Sequence, residues 1–128
     1  MPKVVRAQYH FRASKRGLLA WDVRRLIELT GELQPHDVPL TDIAELSENY
    51  WFAHHEPTCR SLVDHMNLIG KADLGYPIIL DADGRVMDGM HRVCKAALMG
   101  HAAISAVRFR ETPEPDYVGR QPDELPYD

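Results

Sequence analysis

The chain has 128 residues, 15 of them basic and 19 acidic, for a formal net charge of -4. That length fits one domain, and 45% hydrophobic with 27% charged residues is ordinary globular usage. The acidic balance argues against non-specific nucleic-acid binding, which needs an excess of Lys and Arg to neutralise phosphates.

Residues 4–11 alternate, with Val5, Ala7, Tyr9 and Phe11 on one side, which predicts a strand. Across LLAWDVRRLIELTGEL, residues Leu19, Val23, Leu26, Ile27 and Thr30 follow helical spacing, with Gly31 at the C-cap and Asp22 able to cap an inner start. QPHDVPLTDI predicts a short extended piece with Leu40 and Ile43 inward. Thr41 or Asp42 then caps a short helix through Ala44, Glu45 and Leu46. Thr58 predicts the start of a clear helix with Leu62, Val63, Met66 and Ile69 on its inner face.

The most informative stretch is YPIILDADGRVMDGMHRVCKAALMGHAAISAVRF. Ile78, Ile79 and Leu80 read as a strand, Asp83-Gly84 as a hairpin turn, and Arg85 to Met87 as the returning strand. Asp88-Gly89 breaks it. A helix follows with Val93, Ala96, Ala97 and Gly100 inward, and residues 103–109 form a third strand. From Glu111 the chain holds four prolines and six acidic residues, predicting a tail extended over the surface or disordered. The division is one domain over residues 1–110, with its core at 36–110 and an N-terminal extension at 1–35. The tail is 111–128. The fold class is α+β, a small mixed β-sheet with flanking helices.

The turn at Asp88–Arg92 carries the chemistry. The first N–H groups of a helix lack intrahelical partners, and its dipole adds positive charge there. Gly89 admits a ligand close to the backbone. Arg92 offers a planar fork that matches phosphate oxygens, and His91 donates a hydrogen bond or carries a proton. Asp88 suits a metal, a ribose hydroxyl or a helix cap, with the cap favoured. Arg92 is expected to point away from the helix face bearing Val93 and Ala97, so that its removal leaves the fold intact.

The segment PIILDADGRVMDGMHRVCKAALMG resembles the signature of the ParB/sulfiredoxin-like superfamily. The likeness is most specific over residues 76–109 and reaches more weakly to VPLTDI. It implies phosphate or nucleotide contacts from Asp88, Gly89, Met90, His91 and Arg92. The nucleotide would be ATP, ADP or CTP with Mg2+, and phosphoryl transfer to a small molecule could follow. Met90 stands where sulfiredoxins carry their nucleophilic cysteine and ParB domains a glutamate, which argues against sulfinic-acid repair and puts CTP hydrolysis in doubt. An archaeal relative is a free-serine kinase. Catalytic candidates are Asp88, His91, Glu45 and Glu48, with Glu32 beside them by proximity to the opening strand. A non-catalytic interaction module of the same fold is the alternative.

Elsewhere, His54, His55 and His65 are weak metal candidates near Cys59, but their spacing matches no zinc motif, and a structural role is favoured. Tyr50, Trp51 and Phe52 are expected to pack on the domain. The helix at 18–30 would pack on the core or form a homodimer face. Two cysteines, Cys59 and Cys94, point to a reducing, cytoplasmic setting. No segment approaches the ~18 apolar residues of a membrane span, and the N-terminus lacks the apolar run of a secretory signal. Lys3, Arg6, Arg12, Lys15 and Arg16 offer at most a weak, salt-sensitive contact to DNA. With no helix-turn-helix legible after Phe109, no sequence-specific duplex binding is expected.

Overall fold

A computed structural model describes residues 8–53 and 56–127. The elements run β1 (Tyr9–Arg12), β2 (Leu19–Asp22), α1 (Val23–Leu29), β3 (His36–Pro39), α2 (Cys59–Lys71), β4 (Ile78–Leu80), β5 (Val86–Asp88), α3 (Met90–Leu98), β6 (Ala103–Arg108) and β7 (Tyr117–Val118). The class is α+β, but the strands form two sheets. One has the order β1-β2-β7 and the other β3-β6-β4-β5. The second is mixed: β4 runs parallel to β6, while the β3–β6 and β4–β5 pairs are antiparallel.

Period-two alternation through the four-stranded sheet explains the layers. Ile78, Leu80, Val86, Ile104 and Ala106 join one core with Met90, Val93 and Ala96 of α3 and with Leu40 and Ile43. Ile79, Met87 and Val107 join a second core with Trp21 and Leu26. Both faces of the sheet are thus covered, one by α3 and the other by α1 with the N-terminal hairpin. The second cover is where the helix predicted from Leu19 fails. Leu19–Asp22 is extended and pairs with β1 on one side and β7 on the other. Two-sided strand pairing outweighs a helical spacing of apolar residues. Asp22 caps the helix that follows, accepting a hydrogen bond from the Arg24 backbone N–H. Val5 and Ala7 of the predicted first strand lie outside the described residues.

Three smaller differences follow. Leu40–Asp42 and Ala44–Ser47 are 3-10 turns, and neither Thr41 nor Asp42 caps them with a side chain. Ala97 and Gly100 are exposed rather than inward, because the buried face of α3 is made by Met90, Val93 and Ala96. Thr58 does cap α2, through a reciprocal pair with Ser61. However, α2 buries no residue at all: it packs on α3 at the edge of the domain, and Met66 is 68% exposed.

The acidic tail is extended and returns to the body. Its β7 pairs with β2, Pro113 O accepts from the Trp21 indole at 2.7 Å, and Asp116 accepts from the Asp22 N–H at 2.7 Å and pairs with Arg25. Leu125 is buried, and the Tyr9 hydroxyl donates to Pro126 O. The tail therefore fastens the N-terminal hairpin that carries His10 and Arg12. No described helix is long and apolar enough to cross a membrane.

Candidate functional site

The DADG turn sets the distance between β4 and β5. Asp81, 1% exposed, accepts from the N–H groups of Asp83 (2.8 Å) and Arg85 (2.9 Å). The same carboxylate takes a 2.6 Å bond from Arg12, which arrives from β1. Burial alone would raise its pKa, but the Arg85 N–H, the Arg12 guanidinium and the Asp83 N–H outweigh it and hold the carboxyl below its usual range.

After β5 the chain turns at Gly89, whose φ of 105° is left-handed, and no side chain caps α3. A Cβ here would stand 2.6 Å from Ile78 Cγ2, so glycine is required by packing on β4 as well as by backbone geometry. The Arg92 guanidinium is turned inward, contrary to the outward orientation expected from the helix face. It donates to Asp88 (2.8 Å), Pro77 O (2.7 Å) and Tyr76 O (3.0 Å). It thereby ties the start of α3 to the loop that leads into β4. Met90 is buried in the core. His91 bonds to His65, with His91 Nε2 and His65 Nδ1 2.8 Å apart. All five residues at this turn are engaged within the fold: Asp88 pairs with Arg92, Gly89 packs, Met90 fills the core, His91 bonds to His65 and Arg92 clamps.

A cleft of about 290 Å3 lies between β1, the segment from Glu45 to Tyr50, and Arg85 and Val86. Glu45 and Glu48, both singled out from sequence, line it. Glu45 is 2% exposed. Its Oε2 accepts from the Val86 N–H at 2.6 Å and lies 3.4 Å from Arg85 Nε. Its Oε1 is buried with no hydrogen-bond partner among the described residues, and neither has Nη2 of Arg12, a residue that lines the same cleft. Glu48 forms a two-pronged pair with Arg85, at 2.6 and 2.9 Å, and that bond lowers its pKa. Glu32 does not line this cleft.

Four residues not assigned to this site from sequence, His10, Arg12, Tyr50 and Arg85, line the same cleft. His10 accepts from Arg12 Nε at 2.8 Å. Burial, with the Arg12 cation beside it, pushes its pKa down to about 4, so the ring is a neutral acceptor. Tyr50 is pushed up to about 12, first by burial and then by the Glu45 charge. The charges of Arg12, Asp88 and Arg85 also act on its phenol, so Asp88 and the cleft share one electrostatic neighbourhood. Arg85 is held firmly protonated by Glu48. Nothing in the local sequence around His10, Arg12 or Tyr50 signals this role, because it depends on a strand 33 residues from Glu45 reaching across the sheet. The Arg12 side chain, read as part of a basic stretch, is instead folded into the Asp81 pair and stacked on Trp21.

A second, smaller cleft of about 180 Å3 lies between Leu46, Tyr50, Trp51, Phe52 and the Met90–Cys94 face of α3. Tyr50 and Trp51 pack against the core. Among the described residues, no three His, Cys, Asp or Glu side chains converge as metal ligands. His54 and His55 lie outside the described residues, and His65 spends its Nδ1 on His91. Cys59 and Cys94 are both free. No protein-family model, curated protein or solved structure matches this chain.

Proposed function

We propose that the chain binds a small phosphorylated molecule, with nucleotides among the candidates, in the cleft centred on Tyr50. The observation that carries this reading is that two residues lining one cleft, Glu45 and Arg12, each keep a buried polar atom without a partner among the described residues, Glu45 Oε1 and Arg12 Nη2. A buried polar group without a partner costs about 1–3 kcal/mol. A ligand that presents an anionic oxygen to Arg12 and a hydroxyl or ammonium to Glu45 satisfies both. Tyr50 adds a phenol that stays protonated at neutral pH.

The start of α3 supports the phosphate half of the reading. It is left uncapped by any side chain, so its first N–H groups are open to a phosphate. With Arg92 engaged, the phosphate contacts here would come from the N–H groups of Met90, His91 and Arg92 rather than from the guanidinium. Mg2+ would arrive on the phosphates of a nucleotide, since the described residues offer no ready-made cage. In phosphoryl transfer, Glu45 would take the proton of the acceptor hydroxyl. The ParB/sulfiredoxin-like resemblance and a cytoplasmic setting belong to the same proposal.

The test is a thermal-shift screen of ATP, ADP, CTP and small phosphorylated hydroxy acids, each with and without Mg2+. At ~100-fold excess over Kd, a true ligand adds roughly 2.7 kcal/mol. Glu45→Gln and Arg12→Lys should each weaken the hit at least tenfold by calorimetry. A panel without a hit, or full affinity in both variants, overturns the proposal. An interaction module is the second reading, favoured by the exposed Leu62, Val63, Met66 and Leu68 on α2. Sedimentation across a concentration series would show self-association through that face.

A further inference from the structure

The three rings of Trp51, His65 and His91 form a two-layer plate where α2 meets α3. The two imidazoles have their centroids 5.1 Å apart and their planes inclined by 23°, with facing nitrogens at 2.8 Å. Those values place the rings edge to edge in one layer. The Trp51 indole lies against both, 4.2 Å from His65 and 4.6 Å from His91, at 21° and 16°. Phe52 closes the outer edge of His65 at a right angle. Since α2 has no buried residue, this plate is a principal attachment of its middle turn. Its C-terminal end is held separately, by Lys95 Nζ donating to Gly70 O and Ala72 O.

We propose that the His65–His91 bond on Trp51 is an acid-operated latch, and that a second proton taken up by the pair parts α2 from α3. In the neutral pair, one N–H lies between the facing nitrogens. The first added proton goes to the outer nitrogen of the donor ring and leaves that bond in place as an imidazolium–imidazole bond over the indole face. The second has only the facing acceptor nitrogen to occupy. Two N–H donors and two cations then oppose each other at hydrogen-bond distance, and the bond is lost. The protons come from solvent, so no other reactant is needed.

The surrounding charges leave the pair to decide. Asp64 on α2 favours the charged form of His65, but burial outweighs it and lowers that pKa. Burial and then the His65 charge lower that of His91. On α3, Arg92 is held by Asp88 and Lys95 by the two carbonyls of α2, while burial raises the Cys94 thiol and keeps it neutral. On the segment that carries Trp51, Glu48 is held by Arg85, and Tyr50 is un-ionised at these pH values. Both imidazole shifts are downward, so the closed latch is favoured at neutral pH. It weakens as pH falls below 6.5, the ordinary imidazole value. The opening equilibrium should change by about 10- to 100-fold per pH unit, according to whether one or two protons accompany it. Opening uncovers Trp51, the neighbour of Tyr50. Acid control of the ligand cleft is therefore a consequence that rests on the binding proposal above, whereas the latch itself does not.

Amide NMR of the ligand-free full chain between pH 7.5 and 4.5 tests the latch without any ligand. The Trp51 indole resonance and the α2 amides should move together, with a midpoint below 6.5. Protection factors in the first half of α2 should fall at least tenfold while the four-stranded sheet keeps its own. His91→Gln, which cannot take the second proton, should abolish the transition. His65→Gln should abolish it as well, and Trp21 serves as the internal control. The latch is refuted if α2 keeps its protection at pH 5, if the transition survives in His91→Gln, or if α2 opens only together with the sheet.

Discussion

Gly89→Ala isolates the reason for the glycine at the strand-to-helix turn. A residue with a Cβ in the left-handed region costs about 1–2 kcal/mol. The added methyl would also stand 2.6 Å from Ile78 Cγ2 and 3.0 Å from Ile78 Cβ, with the Arg92 guanidinium carbon at 3.1 Å. Ile78 is fully buried in the α3-side core and has no room to retreat. Overpacking of that kind typically costs about 1–3 kcal/mol. The two contributions sum to about 2–5 kcal/mol, a large share of the roughly 5–15 kcal/mol that holds a domain together. With a urea slope of about 2 kcal/mol/M, the unfolding midpoint should fall by about 1–2.5 M. Ile78→Ala removes the Cγ2 contact, so in that background Gly89→Ala should cost about 1–3 kcal/mol less than in the wild type. Strict additivity with Ile78→Ala would refute the packing argument and leave the left-handed backbone as the reason for glycine, and a midpoint drop below ~0.3 M would refute both.

Arg92→Ala should destabilise the fold by about 1.5–3 kcal/mol in urea titrations, because its guanidinium serves Asp88 and two carbonyls. Unchanged stability would restore an outward, ligand-facing arginine. Asp81→Asn should cost about 1.5–3 kcal/mol at neutral pH. The folded carboxyl sits below the unfolded value of 3.8, so its contribution is present above that pH and is lost as pH falls through the folded value. The gap between wild type and variant should therefore close in acid, and a gap independent of pH down to ~2 would contradict this linkage. Tyr50 should ionise only near pH 12 in ultraviolet difference titrations, and Tyr50→Phe should remove that late step. Its contribution to stability is complete below pH 10 and is lost as pH rises from there through the folded value.

What could be read from the sequence was local. The Asp83-Gly84 hairpin, the Thr58 cap and the helix that begins beyond Gly89 are each decided within a few residues by turn chemistry, capping or periodicity. The exposed face of α2 shows the limit of periodicity. Its spacing specifies a helix with an apolar side, but which surface meets that side, if any, is set by where α3 and the sheet lie. The apolar residues of Leu19–Asp22 fit a helix, yet the segment is a strand. Its strand conformation comes from partners at Tyr9–Arg12 and Tyr117–Val118, the latter nearly a hundred residues away. The site divides in the same way. Glu45, Glu48 and the Asp88–Arg92 turn stand out in the sequence by residue type alone. That Arg92 is held by carbonyls and Asp88, that Met90 is core, and that Glu45 and Arg12 line one cleft is decided only by the packed chain. A side chain's type states what it can bond. Only the packed chain decides which partners reach it, and therefore which of its bonds remain for a ligand.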